Sequence, residues 1–338
     1  MTNKTNGTQR FRTQTKASFL SLSLLAIATT LSGGTALAAD AELPSSIRIV
    51  VPFTPGGSND VTARAVADEL RKRTGHAVIV ENKPGAAGFI GAADVARAPK
   101  DGSVLLVSSV SMITGAVTKE KPLVDIENDL APVAIISEGP TLIVASNKSG
   151  IRTPADLIAA AKANPGAVTY ASVGPGSLSH LAGEMLGDSA NVSLTHVPYK
   201  GGSPAMNDII GGIVDFAVGY TSGPIMPHIK AGNMQLIAVS SLEPSPALPG
   251  TPAMSSVVPG YDALLWTGVW APAGTPRDVL ERLNKEINEI STSPVIRDIA
   301  ARDSAQPISL SLDETKTKIS DTHAMWKDLA KKNNISID

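Results

Sequence analysis

The 338-residue chain has no cysteine, few aromatic residues (4%) and no marked excess of either charge, its formal balance being −2. Each shortage closes a class of function. Without cysteine there is no disulfide scaffold, no thiol nucleophile, no thiolate metal site and no cysteine to carry a lipid anchor. With 29 basic against 31 acidic residues there is no basic stripe of the kind that nucleic acid requires. The five histidines (His76, His180, His196, His228, His323) form no H-E-x-x-H pair, and there is no G-x-S-x-G elbow, dinucleotide fingerprint or phosphate loop. Ser177 with His180 has an acid–base flavour, but His180 stands at a helix start, where bonding to neighbouring backbone is the simpler role. No catalytic residue, cofactor or metal site is expected.

The amino-terminal stretch carries an export signal. A cationic opening (Lys4, Arg10, Arg12, Lys16) precedes a mostly apolar run over residues 17–31, and Thr35-Ala36-Leu37-Ala38 fits an A-x-A cleavage pattern with Ala39 as the first mature residue. The run is about 15 residues, short of the roughly 20 that span a bilayer. Cleavage removes four basic and no acidic residues, so the mature chain is more acidic than the whole. A single pocket can still be locally positive. The expected product is free in the periplasm and monomeric.

The remaining chain is rich in small aliphatic residues, 43% of the sequence being hydrophobic, as suits helices packed on parallel strands. About 300 residues exceed what one core serves, so two lobes are expected. Apolar strands and amphipathic helices alternate: strands near 46–53, 78–80 and 104–108 with helices to about 73 and over 90–98. They are followed by strands near 169–173, 194–198 and 216–219 with helices over 154–163, 179–187 and 204–210. Helices over 276–290 and 312–332 close the chain. Two long apolar segments, 131–144 and 264–272, stand out. Each reads either as a strand crossing between lobes, broken near 138–141 and near Trp266, or as an ordinary strand of one sheet.

The candidate site lies in strand-to-helix turns. After Phe53, the turn Pro55-Gly56-Gly57-Ser58-Asn59-Asp60 lets backbone approach a ligand closely, and the helix start that follows offers unpaired N–H groups to a carboxylate. Ser58 or Asp60 could equally serve only as caps. A matching turn, Gly174-Pro175-Gly176-Ser177-Leu178-Ser179-His180, lies in the other half, and Tyr199-Lys200-Gly201-Gly202-Ser203 occupies the same place in a third unit. Trp266 either shields a pocket or packs at a hinge.

In these residues the chain resembles the periplasmic solute-binding proteins of tripartite tricarboxylate transporters, also called the Bug family. The landmarks run in order: residues 49–60, Val80-Glu81-Asn82-Lys83-Pro84-Gly85, Ser179-His180-Leu181-Ala182-Gly183-Glu184, Val197-Pro198-Tyr199-Lys200-Gly201 and Ala271-Pro272-Ala273-Gly274-Thr275-Pro276. The resemblance implies an α/β Venus-flytrap of two lobes, type II-like, each a mainly parallel sheet flanked by helices and joined by two crossing hinge strands. The first lobe would take 39–140 and 264–338, the second 141–263. It implies a small carboxylate held between the turns at 54–60 and 174–180, largely by backbone N–H groups, with Ser109 and Ser111 nearby and Tyr220 and Thr221 toward the distal end. The segment 219–223 departs from the usual pattern, which bears on ligand identity. It further implies delivery to two integral membrane subunits; a co-sensor role for a membrane signalling receptor is the alternative that sequence does not separate.

Amino-terminal sequencing of the exported protein should read Ala39-Asp40-Ala41; an intact amino terminus on exported material would overturn the signal assignment.

Overall fold

The computed structural model describes residues 41–336, so the signal segment lies outside the described residues. β1 (Ser46–Val51) places Ile47, Ile49, Val50 and Val51 wholly in the core. α1 (Ser58–Thr74) follows and stops at Gly75, whose left-handed backbone sends its N–H to the Arg71 carbonyl at 2.9 Å. β2 (Ala77–Asn82), α2 (Phe89–Ala96), β3 (Val104–Ser109) and α3 (Val110–Val117) complete the first run. β4 (Leu130–Pro140) leads through Thr141 into β5 (Leu142–Ser146). Then come α4 (Pro154–Ala163), β6 (Thr169–Ser172), α5 (Leu178–Ala190), β7 (Thr195–Pro198), α6 (Gly202–Gly211), β8 (Phe216–Tyr220), α7 (Ser222–Lys230) and β9 (Met234–Val239). β10 (Leu264–Pro272), α8 (Arg277–Ser291), α9 (Pro294–Arg302), β11 (Gln306–Pro307) and α10 (Leu312–Lys332) end the fold. No helix among the described residues is long and apolar enough to cross a membrane.

The strands form two sheets, in the orders β2-β1-β3-β10-β4-β11 and β7-β6-β8-β5-β9. β1 is parallel to β2 and β3, and β6 is parallel to β7 and β8. The antiparallel member next to the third strand is in each case the one arriving from the other sheet: β10 beside β3, β5 beside β8. The two lobes thus share one order (second, first, third, visitor, fourth), and helices cover both faces as parallel pairing demands. This is the two-lobed α/β architecture anticipated from the alternation.

The chain changes lobe at Thr141 and again between Ser240 and Leu264. Where the two crossings meet, a hydroxyl knot ties them. The Thr141 N–H and Oγ1 donate to Ser240 Oγ at 2.8 and 2.9 Å, and Ser240 Oγ donates to the Ala263 carbonyl at 2.8 Å. Backbone bonds reinforce it, Ser240 N–H to Thr141 O and Ala263 N–H to Ser240 O, both at 3.0 Å. All three residues are fully buried. The break expected near Trp266 falls elsewhere, because β10 stays laddered to β4 from Leu264 to Pro272, with register shifts only after Thr267 and Val269.

One buried cluster runs through both lobes, joining Ile113 of α3, Leu181 of α5 and Ile319 and Trp326 of α10. α10 is also pinned by charge to each side, Lys318 to Glu138 of β4 at 2.5 Å and Lys332 to Asp188 of α5 at 2.6 Å. The back of the molecule is therefore a continuous packed wall, and freedom to open is left to the front.

Ser240→Ala strands the buried Thr141 N–H and leaves the Thr141 hydroxyl and the Ala263 carbonyl only their long 3.4 Å bond to each other. It should lower the denaturant-measured unfolding free energy by roughly 2–3 kcal/mol, the cost of leaving buried polar groups unpaired; a loss within 0.5 kcal/mol would show that the knot carries no weight.

Candidate functional site

Between the lobes lies a cavity of about 250 Å³. The first lobe contributes Ser58 and Asn59 from α1, Ser109 and Ser111 around the start of α3, and Leu265 and Thr267 from β10. The second contributes Val173, Ser177, Leu178 and Ser179 at the β6–α5 turn, with Gly219, Tyr220, Thr221 and Pro224 at the β8–α7 turn. No charged side chain lines it.

The common feature of these residues is position. Each turn opens a helix, so the amino termini of α1, α3, α5 and α7 all converge on one space. Gly57, Ser109 and Thr221, which precede α1, α3 and α7, make no side-chain capping bond. Only α5 is capped, by Ser177 Oγ accepting from the His180 N–H. A helix start carries about half a positive charge and unsatisfied N–H donors, and favours an anion by roughly 0.3–1 kcal/mol, up to about 2 when partly buried. Four such poles around hydroxyls and an amide make a positive chamber without a cation.

The first turn is held from behind. Asp60 is 3% exposed and accepts from the Gly56 N–H at 2.9 Å, Asn82 Nδ2 at 2.9 Å and Arg64 Nε at 3.1 Å. Burial alone would push its carboxyl up, but bonds from Arg64, Gly56 and Asn82 outweigh it and hold the group below its ordinary value. Gly56 needs its left-handed φ of 87° to place that N–H. Across the cleft, Gly219 also requires absence of a side chain: a Cβ there would sit 2.5 Å from Ser179 Cα.

The lobes touch beside the cavity. Ser58 Oγ donates to Asp303 Oδ2 at 2.7 Å within the first lobe, and Ser222 Oγ at the start of α7 donates across to Ser304 Oγ at 2.6 Å. The structure is thus closed at this rim.

Of the residues singled out in the sequence, Ser58, Ser109, Ser111, Ser177, Tyr220 and Thr221 line the cavity together. The rest do not. Pro55, Gly56 and Gly57 are exposed beyond its edge, while Phe53 is half-buried and its carbonyl holds Asn82 at 3.1 Å. Asp60 is a support, as described. Gly174 and Gly176 point their N–H groups inward, to Ser172 Oγ at 3.1 Å and His180 Nδ1 at 3.2 Å. This corrects the expectation that those two N–H groups clasp a ligand: the turn spends them on its own shape. His180 supports the turn from beneath. Tyr199 and Gly201 stand aside, the Tyr199 hydroxyl bonded to Asp208 at 2.7 Å. Trp266 is 2% exposed and packs near Trp270; its neighbours Leu265 and Thr267 face the cavity instead, as strand alternation requires. That alternation was the available signal for Thr267. Asn59 sat inside a motif already read, whereas nothing local marked Val173 or Pro224.

Two roomier cavities, about 730 and 690 Å³, flank the outer side of the hinge. Glu138 and Asp262 line both, with Asp313, Glu314 and Asp321 in one and Glu243 in the other. Acidic walls repel an anion, so chemistry rather than size selects the interlobe cavity.

Comparison with known proteins agrees with this fold. The family described as "tripartite tricarboxylate transporter family receptor" matches residues 62–335. Protein BugT of Bordetella pertussis is 34% identical over 294 residues, covering 86% of this chain and 90% of its own length. The solved periplasmic binding protein BugD is 32% identical with a TM-score of 0.71, over 86% of this chain and 98% of that one. An R. palustris protein solved with adipate is 29% identical, with a TM-score of 0.74 and the same coverage.

The Asp60 contribution has a definite pH sign. A carboxyl whose folded value is lowered stabilises fully above its ordinary value and loses that contribution as pH falls through the folded value. Asp60→Asn should cost roughly 1.5–3 kcal/mol near neutrality and flatten the acid limb of the stability profile; an unchanged acid limb would remove Asp60 from that role.

Proposed function

The chain belongs to the tripartite tricarboxylate transporter receptor family, and from that premise we propose that it captures a small carboxylate in the periplasm by lobe closure and delivers it to two integral membrane transporter subunits. The observation that carries the reading is the convergence of four helix amino termini, three without a side-chain cap, on an uncharged interlobe cavity. The carboxylate accepts from the first-turn N–H groups of α1, α3 and α7 and from the hydroxyls of Ser109, Ser111 and Thr221, whereas Ser58 and Ser177 spend their protons on Asp303 and the Gly174 carbonyl. Hydrogen bonds to an ionised group contribute roughly 1.5–3 kcal/mol each, so a few suffice where no countercharge is present.

Closure follows from the same donors. The first-lobe and second-lobe groups meet one anion only when the front rim is shut, so the ligand binds the closed population better and shifts the equilibrium toward it. At about 250 Å³ the chamber is smaller than the roughly 300–1,000 Å³ of drug-sized sites, which limits the occupant to a short-chain acid. The hydroxyl-rich lining suits a second carboxylate or a hydroxyl on that chain. The working unit is a monomer, since both jaws come from one chain.

Calorimetry with short mono- and dicarboxylates should find a binder with micromolar to millimolar affinity; silence across the panel would overturn the reading. Ser111→Asp gives a sharper test. An acid at the first turn of α3 favours the helix but places a like charge in the chamber. Thermal stability should hold while affinity drops by about a hundredfold or more, the scale of a like-charge clash; undiminished binding would show that the anion sits elsewhere.

A further inference from the structure

We propose that His180 and His196 are positioning residues of the cleft: two uncharged imidazoles that hold the 173–177 turn in its binding shape and release it when the pair takes up a proton. The consequence for affinity rests on the proposed carboxylate site, whereas the consequence for the turn stands without it.

Two short chains of hydrogen bonds begin at the two glycines of that turn, on either side of Pro175, and end on the two rings. The Gly176 N–H donates directly to His180 Nδ1 at 3.2 Å. The Gly174 N–H donates to Ser172 Oγ at 3.1 Å, and Ser172 Oγ lies 2.6 Å from His196 Nε2. A hydroxyl that accepts from Gly174 has its own proton free for the imidazole, which is its nearest acceptor. His180 must therefore present a lone pair on Nδ1, and His196 presents one on Nε2 because at 2.6 Å it is a nearer acceptor for the Ser172 proton than the Gly174 carbonyl at 3.3 Å. The turn so fixed carries Ser177 and leads to Ser179, both in the cavity wall.

The rings also constrain each other. They stack face to face with centroids 4.0 Å apart and planes 13° apart, and Tyr170 covers the far side of His196 at 5.0 Å. A proton on one ring opposes a proton on the other across that gap. The titratable groups facing the pair are Tyr170 from β6 and Glu184 from α5. The Tyr170 hydroxyl donates to Glu184 Oε1 at 2.6 Å, and that carboxylate stands 3.9 Å from His180 Nε2. Burial lowers His180, with Glu184 pulling it partly back; burial and the neighbouring His180 lower His196 to about 4. The first proton thus goes to His180, beside Glu184.

A protonated His180 donates from Nδ1 and meets the Gly176 N–H donor to donor. The folded turn resists that proton while an opened turn accepts it. The hold is complete above the ordinary imidazole value and weakens as pH falls from there through the lowered value of the folded His180.

Amide NMR of the ligand-free mature chain tests the idea directly. Between pH 8 and 5 the Gly174 and Gly176 amides should shift together with the His180 ring nitrogens. In His180→Asn, which offers a non-titrating acceptor at similar reach, the Gly176 amide should stay still; His180→Gln serves the same purpose if the first variant fails to fold. Flat Gly174 and Gly176 amides in the folded native protein would overturn the proposal. Calorimetry with adipate at pH 7.5 and 5.5 gives the functional arm. The native-to-variant affinity ratio cancels adipate's own titration and should fall about tenfold, one unit of proton linkage, at the lower pH. A constant ratio would also overturn it. Absence of adipate binding to both proteins at pH 7.5 counts against adipate as the ligand, and the amide titration then decides the histidine proposal.

Discussion

Four positive helix poles face one another around a cavity of about 250 Å³, and that electrostatic constraint organises the molecule. Each pole carries about half an elementary charge. Brought together empty, they oppose closure; with one anion among them, the same dipoles pull the lobes shut. In the proposed function, ligand recognition and the driving force for closure are then a single interaction. This explains why the lining is built of hydroxyls and one amide rather than of lysine or arginine. A fixed cation would favour the anion in the open form almost as well as in the closed one.

The remainder of the fold keeps those poles aimed. Both sheets have the same strand order, so both present their strand-to-helix turns at the same edge. The knot of Thr141, Ser240 and Ala263 holds the two crossings side by side. Behind it, α10 and the cluster shared by α3 and α5 form a wall. The division is between a rigid back, where burial is continuous, and a front joined at the rim by a few polar contacts such as Ser222 with Ser304.

Much of this was legible in the residues. The glycine turn before α1, the Thr153–Pro154 start of α4 and the whole of α10 follow directly from capping and periodicity. What stayed hidden has physical causes. α3 follows β3 with no turn residue between Ser109 and Val110, so an eight-residue helix hides in an apolar run. α7 contains Pro224 and Pro227, which read as breakers although the first sits in the opening turn. Within the site, Ser58 and Ser177 were found in the glycine turns themselves, whereas Ser109 and Ser111 came only through the family resemblance. The inward aim of the Gly174 N–H was not found, because the Ser172 hydroxyl that receives it rests on His196 of β7, brought beneath the turn by pairing with Tyr170 of β6.

The uncharged lining has a further consequence at the moment of unloading. A receptor that grips its cargo with arginine must leave a bare guanidinium in a dry pocket when the cargo departs, and that stranded ion resists the exchange. Here departure leaves helix ends and hydroxyls that water satisfies at once as the rim parts. Under the proposed function, the emptied chamber keeps no debt toward the acid it has lost, which suits a receptor that must let go as readily as it takes hold.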